Sequence, residues 1–176
     1  MEWSMTERIL VAYASRYGST EEIARVIADE IAALGYEVDC MNVMEVEEVA
    51  PYAAVVAGSP IYMGKWLPEA VDLAKRFRIG LNERPLAVFA VGYSMKEEDD
   101  MIRKSARASM NELRMYVHAQ AEGLFAGKFD PVGMSTTDLQ IMKMAGAAPG
   151  DARDWTAVRN WARALPSVLF TLDVEK

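Results

Sequence analysis

The chain has 176 residues, enough for one well-buried domain and short for two, with 52% apolar and 26% charged residues as in ordinary globular proteins. A net charge of −7 removes the electrostatic basis for binding nucleic acid, which depends on clustered Lys and Arg, and suits solubility and the docking of basic partners. One cysteine, Cys40, and one histidine, His118, exclude an intramolecular disulfide and a Cys/His zinc set. No apolar run approaches the roughly 20 residues of a membrane span. The opening "MEWSMTERI" carries an early Glu and no apolar core region, so it does not read as a secretory leader. The expected compartment is the cytoplasm.

Ile9–Tyr13 reads as a short, continuously apolar strand. Ile23, Ile27, Ile31 and Leu34 then recur at helical spacing, with Ala24 and Ala28 on the same face. Ser19-x-x-Glu22 fits a capping box at the start of this helix, and Gly35 is placed to stop it. "YEVDCMNV", Tyr36–Val43, alternates as a second strand that would bury Cys40 inertly and turn Asp39 outward. "YAAVVAG", Tyr52–Gly58, is a third apolar run, followed by a loop, "SPIYMGKW".

Leu67–Phe77 fits a helix with Pro68 in its first turn. "PLAVFAVG", Pro85–Gly92, is the fourth strand. After "YSMKEEDD", Met101–His118 reads as one long helix with His118 near its surface-exposed end. Gly123–Phe129 is a fifth short strand. A linker with Pro131 and Gly133 leads to the Met-rich stretch Leu139–Ala145, "AGAAPGD" breaks the chain, and a last helix covers about Trp155–Leu165.

Strands alternating with helices predict an α/β fold with a mostly parallel, doubly wound sheet, since each helix carries the chain back for the next right-handed crossover. Unbroken apolar runs in strands one, three and four agree with a sheet covered on both faces. There is no internal repeat and no interdomain linker, so 1–176 reads as one domain with an insert at about 130–150.

In such sheets, ligands bind beyond the carboxyl ends of the strands, where strand order reverses. The turn after the first strand, "SRYGST", offers the Ser15, Ser19 and Thr20 hydroxyls, a permissive Gly18 and the free amides of a helix start. That donor set suits a phosphate. No lysine follows Gly18, so the P-loop pattern fails, and one glycine stands where the dinucleotide pattern needs three. Asp39, 21 positions after Gly18, lies where a ribose-binding acid would stand, although strand alternation explains it more simply.

Ser15-x-x-Gly18-x-Thr20, between a first strand and a first helix, resembles the FMN-phosphate loop of flavodoxin-like proteins. "AGSPIYMGKW" and "VGYSMK" resemble the two loops that flank the flavin ring in that family. The tail, "GLFAGKFD", "LQIMKMAG" and "DWTAVRNWAR", is similar to the branch containing menaquinone-dependent protoporphyrinogen oxidases. The resemblance covers almost the whole chain and implies a flavodoxin-like five-stranded sheet of order 2-1-3-4-5 with FMN at the switch point.

It also implies roles. Ser15, Arg16, Tyr17, Gly18, Ser19 and Thr20 would hold the phosphate. Ser59, Pro60, Ile61, Tyr62, Met63 and Gly64 would meet one side of the isoalloxazine, and Gly92, Tyr93 and Ser94 the other. Tyr62 or Tyr93 would stack on the ring. No catalytic side chain and no metal are expected, because the flavin carries the redox work. Glu97, Glu98, Asp99 and Asp100, just after the second ring loop, read as a solvated helix start or as acids that lower the flavin potential.

Two classes of function fit this resemblance. One is an enzyme that takes electrons from protoporphyrinogen or a similar reduced substrate and passes them to a quinone, with peripheral membrane contact compatible. The other is a flavodoxin carrier that docks a redox partner protein; an NAD(P)H quinone reductase is a third reading. Leu139, Ile141, Met142, Met144 and Ala145 in the insert favour the enzyme, because Met suits an adaptable apolar ligand surface. The scarcity of aromatic and basic residues in "FDPVGMSTTDL" counts against a membrane-quinone role, and the net charge of −7 favours the carrier. Neither the donor nor the oligomeric state is legible in the sequence.

Overall fold

A computed structural model of the chain describes residues 7–170. Five parallel strands, β1 (Arg8–Tyr13), β2 (Glu37–Asn42), β3 (Ala54–Tyr62), β5 (Leu86–Gly92) and β6 (Ala121–Ala126), form the sheet in the order β2-β1-β3-β5-β6. Between β3 and β5, β4 (Lys65–Trp66) folds back antiparallel on the end of β3. The path is therefore the doubly wound order expected, with β5 and β6 as the fourth and fifth main strands.

Both faces of the sheet are covered, which explains the unbroken apolar runs. On β1, Ile9, Val11 and Tyr13 pack with Ile23, Ile27 and Ile31 of α1 (Ser19–Ala32) and with Val158, Ala162 and Leu165 of α7 (Trp155–Phe170). Leu10 and Ala12 face the other way. They meet Leu73 of α2 (Pro68–Arg76), Leu81 of α3 (Arg78–Asn82) and Leu113 of α5 (Asn111–Arg114). From Ile9 to Tyr13 every side chain of the strand is thus buried on one side or the other, as parallel sheets require. Gly58 of β3 lies under the ring of its neighbour Phe89; a Cβ there would sit 2.0 Å from that ring.

Several local expectations are corrected. Gly18 adopts a left-handed φ of 91° and is the residue before α1, so Ser19 is the first helical residue and no side chain caps the helix. The Glu22 amide bonds to the Gly18 carbonyl, and the Glu22 carboxylate accepts from Arg153, so the Ser19–Glu22 box does not form. Gly35, at φ 102°, does end α1, but Leu34 is left exposed. "SPIYMGKW" is no loop: Ile61 and Tyr62 pair with Trp66 and Lys65 across a Met63–Gly64 turn.

The expected helix Met101–His118 is broken into α4 (Asp100–Ala108) and α5 at Ser109–Met110. The buried Ser109 hydroxyl donates to the Ala106 carbonyl, the local competition that weakens a helix, and the break lets Met110 and Leu113 enter the core. The fifth strand starts at Ala121 and ends at Ala126; beyond Gly127 a separate strand, β7 (Lys128–Phe129), pairs with β8 (Gly150–Asp151). Between them lies α6 (Thr136–Met144). α7 runs past Leu165 through Pro166 to Phe170, because burial of Leu165, Pro166 and Leu169 offsets the backbone bond that proline removes.

Candidate functional site

One cavity of about 290 Å³ lies at the carboxyl ends of β1, β3 and β5, at the small end of the size range of ligand pockets. Its first wall is the turn between β1 and α1. Ser15, Arg16, Tyr17, Ser19 and Thr20 line it. The Ser15 Oγ accepts from the Gly18 amide at 3.0 Å, which shapes the turn. With no side-chain cap, the Ser19, Thr20 and Glu21 amides keep no protein acceptor, and neither do the Ser19 and Thr20 hydroxyls. Thr20 is only 3% exposed. Unpaired amides at a helix N-terminus with two hydroxyls beside them form an anion cradle.

The second wall is the β3–β4 hairpin, from which Pro60, Ile61, Tyr62 and Met63 line the cavity. Met63 and Gly64 both have positive φ, 51° and 78°, the backbone of a tight hairpin turn that matches strand twist. Ser59 does not reach the cavity. It is fully buried, donates to the Pro60 carbonyl at 2.8 Å and accepts from the Leu67 amide at 3.0 Å, so it braces the hairpin against α2. The third wall holds Val91, Gly92 and Tyr93. Tyr93 donates to the Ala148 carbonyl at 2.6 Å and meets Phe129 edge-on, with the Lys96 ammonium over its ring. Ser94 is exposed and, like Gly18 and Gly64, is not among the lining residues.

The roof is the excursion from β7 through α6 to β8. Phe129, Val132, Met134, Ile141 and Met142 line the cavity from it, together with Lys128 and Asp130. Leu139 and Ala145 do not line it, and Met144 points away, 89% exposed. The apolar stretch read in the sequence therefore splits, with two of its five residues facing the cavity.

Asp138 is the residue that sequence reasoning missed. It is 3% exposed, and its carboxylate accepts from Arg16 Nη2 at 2.7 Å, from the Tyr62 hydroxyl at 2.7 Å and from the Tyr17 hydroxyl. Burial works to raise its pKa, but the hydrogen bonds from Tyr17, Tyr62 and Arg16 outweigh it and hold the carboxyl at about 2. The same contacts raise the Tyr62 pKa, with the Asp138 hydrogen bond as the leading cause. Ser135-x-x-Asp138 does announce a helix start, and Ser135 caps α6 by accepting from the Asp138 amide at 3.1 Å. Nothing in that pattern shows where the Asp138 side chain points.

This arrangement gives two predicted residues further partners. The Arg16 guanidinium is committed to Asp138 and lies 4.3 Å from the centroid of the Tyr62 ring, so the cradle is built from amides and hydroxyls without a free cation in the turn. Tyr62 has one face taken by Arg16 and its hydroxyl taken by Asp138. Asp39 lies elsewhere, bonded to Arg8 and Tyr52. Cys40 is half-buried, and burial pushes its thiol up to about 11; His118 is exposed on the surface. Among the described residues no cluster of His, Cys, Asp and Glu is arranged to hold a metal ion, and no helix is long and apolar enough to cross a membrane.

The comparisons agree with this geometry. A family model described as a flavodoxin domain matches residues 10–154. The chain is 25% identical over 173 residues to the protoporphyrinogen IX dehydrogenase [quinone] of Escherichia coli strain K12, covering 90% of this chain and 94% of that protein. Among solved structures it resembles a Streptococcus pneumonia TIGR4 flavodoxin, with a TM-score of 0.59, 18% identity and coverage of 91% and 98% of the two chains. It also resembles oxidised flavodoxin 2 from Bacillus cereus, with a TM-score of 0.57, 21% identity and coverage of 91% and 98%. A Fusobacterium nucleatum flavodoxin mutant bound to flavin mononucleotide gives a TM-score of 0.56 at 13% identity, over 96% and 98%. With the doubly wound order, the anion cradle after β1 and a family match over 10–154, the chain belongs to the flavodoxin domain family.

Proposed function

We propose that this protein is an FMN-dependent oxidoreductase acting on a flat, apolar substrate, a quinone or a porphyrinogen, and that 130–150 is the insert of a single domain that covers that substrate. The observation that carries this reading is the roof: Met134, Ile141 and Met142 close over a cavity that a carrier would leave open at the flavin edge. The E. coli relative supports the substrate class.

The residues present fit FMN. A dianionic phosphate suits the unpaired amides of the α1 first turn and the Ser15, Ser19 and Thr20 hydroxyls. The hairpin residues Pro60–Met63, and Gly92 at the end of β5 with Tyr93 in the turn after it, bound a slot of the kind a tricyclic ring needs. The bound flavin supplies the electron transfer. The protein's own work is to bind, orient and shield. The hairpin and Tyr93 fix the ring plane, while the α6 residues exclude water and offer an adaptable apolar face to substrate.

The test is to assay protoporphyrinogen oxidation with a menaquinone analogue beside NAD(P)H-driven quinone reduction, using purified yellow protein. Turnover with the first pair supports the reading, and turnover only with NAD(P)H makes the protein a quinone reductase. Absence of both, with FMN bound, leaves the carrier. The acidic run Glu97–Asp100, exposed beside the Tyr93 turn, is the feature that favours a carrier docking a basic partner. Within that run the Asp99 side chain caps α4 by accepting from the Met101 amide, so one of the four acids has a structural role.

A further inference from the structure

α6 is attached to the rest of the molecule in two different ways. At its base the chain leaves and returns through the β7–β8 ribbon, Lys128 opposite Asp151 and Phe129 opposite Gly150. Two further bonds secure that base: the Ala152 amide donates to the Gly127 carbonyl at 3.1 Å, and the Tyr93 hydroxyl donates to the Ala148 carbonyl. The helix itself is held from within by Asp138. That one carboxylate reaches across to Arg16 and Tyr17 on the phosphate turn and to Tyr62 on the hairpin, over sequence separations of 122, 121 and 76 residues.

The flanks of α6 are built to bend. Gly133 before it and Gly146 after it have φ of 84° and 70°, and nothing lies within 4 Å of where a Cβ would be. Left-handed glycines in open space absorb backbone rotation at little steric cost. A rigid helix between two such glycines, with a fixed ribbon at its base and polar attachments to the opposite walls at Asp138 and, through Tyr17, at its cap Ser135, has the parts of a hinged cover.

We propose that α6 is a lid pivoting at Gly133 and Gly146, that Asp138 is its latch, and that flavin enters and leaves the cavity only when the latch is open. The proposal rests on the cavity being the flavin site. Asp138 is a positioning residue: it acts by holding Arg16, Tyr17 and Tyr62 against α6. One carboxylate bridging both walls couples them, because breaking it removes the Arg16 and Tyr62 bonds to α6 together and leaves the Tyr17–Ser135 contact. It also explains why the single arginine of the phosphate turn points at an acid of the insert.

The experiment compares Asp138→Asn, Asp138→Ala and the double variant Tyr17→Phe/Tyr62→Phe with the wild-type protein. Hydrogen exchange of the amides of 139–145 is first measured on the apoprotein, with no flavin present. Faster exchange in this segment in all three variants, with β1, β3 and β5 unchanged, is expected. FMN association and release are then followed by flavin fluorescence. Release at least ten-fold faster, with association equal or faster, is expected, because an open lid admits flavin as readily as it frees it. A variant that was merely destabilised would associate more slowly.

Unchanged exchange over 139–145 overturns the latch whatever happens to flavin. Faster exchange with unchanged release shows that the lid does not gate the cofactor, and also overturns the proposal. A wild-type protein that takes up no FMN overturns the flavin assignment, while the apoprotein exchange still reports on the latch. Should either Asp138 variant fail to fold, the Tyr17→Phe/Tyr62→Phe variant, which keeps the Arg16–Asp138 pair but frees the hairpin from α6, is read by the same exchange over 139–145, with a smaller acceleration expected.

Discussion

Thr20→Val tests the phosphate cradle at the residue best isolated from other roles. Thr20 is the second residue of α1, its side chain is 3% exposed, and its hydroxyl has no protein partner, so nothing in the apoprotein depends on that oxygen. Valine keeps the β-branched shape and closely matched volume, and both residues have similar helix propensity. The apoprotein should therefore unfold within about 0.5 kcal/mol of wild type. With FMN bound, the substitution removes one hydrogen bond to a charged phosphate, a contact worth roughly 1.5–3 kcal/mol, or roughly a 10- to 150-fold rise in Kd. Riboflavin, which lacks the phosphate, should bind both proteins alike. Fluorescence titration of apoprotein with each ligand measures the difference. Equal weakening of both ligands would refute the cradle and place the flavin ring at Thr20. No weakening of either would remove Thr20 from the site. A helix-capping role is already excluded by the geometry, since Gly18 occupies the capping position.

The Asp138 carboxyl, held at about 2 against an ordinary value of 3.8, contributes stability that is fully present above pH 4 and is lost as pH falls through 2. Its partners are Arg16, Tyr17, Tyr62 and its own cap Ser135, so acid denaturation of the Asp138→Asn apoprotein should show a smaller slope between pH 4 and 2 than the wild type, with Asp151, also lowered by its Arg153 hydrogen bond, contributing in both. Gly58→Ala should cost roughly 1–3 kcal/mol in a denaturant melt, because the new methyl meets the Phe89 ring, and Phe89→Leu in the same chain should recover part of the loss. Met142→Asp, which puts a charge into the roof, should leave the yellow holoprotein intact while lowering turnover of an apolar substrate at least ten-fold. Met144→Asp, at an 89% exposed site, should change turnover less than two-fold. Equal effects of the two substitutions would return α6 to plain packing.

The fold was largely legible because its signals are local and repeated. Buried-both-sides strands such as Ile9–Tyr13 and Tyr52–Gly58 have no polar alternation, and α1 shows its apolar face at Ile23, Ile27 and Ile31. Errors fell where a single side chain or backbone angle overrode the pattern. The Ser109 hydroxyl broke a helix that periodicity would have continued to His118. Gly18 took a left-handed φ and displaced Ser19 from the capping position. Pro166 sat inside a helix that burial kept intact. None of these is a periodic signal, so none could be read by spacing.

The cavity divides in the same way. Residues 15–20, the hairpin around Tyr62 and the turn at Tyr93 could be placed beforehand, because strand order brings the carboxyl ends of β1, β3 and β5 together in any doubly wound sheet. The first turn was placed from the strand pattern, and the segments at Tyr62 and Tyr93 from the resemblance to flavodoxin-like proteins. Tertiary structure alone decided what the side chains do there. The Arg16 side chain pairs with an acid 122 residues away, Ser59 turns inward to brace α2, and Met144 turns out while Met142 turns in. The reason is physical: backbone pattern fixes which elements meet, through hydrogen bonding and burial that repeat every two or every 3.6 residues. The pairing of one charge with another depends on side-chain reach and desolvation at a single point in space, and a buried carboxylate such as Asp138 is stable only where its donors already converge.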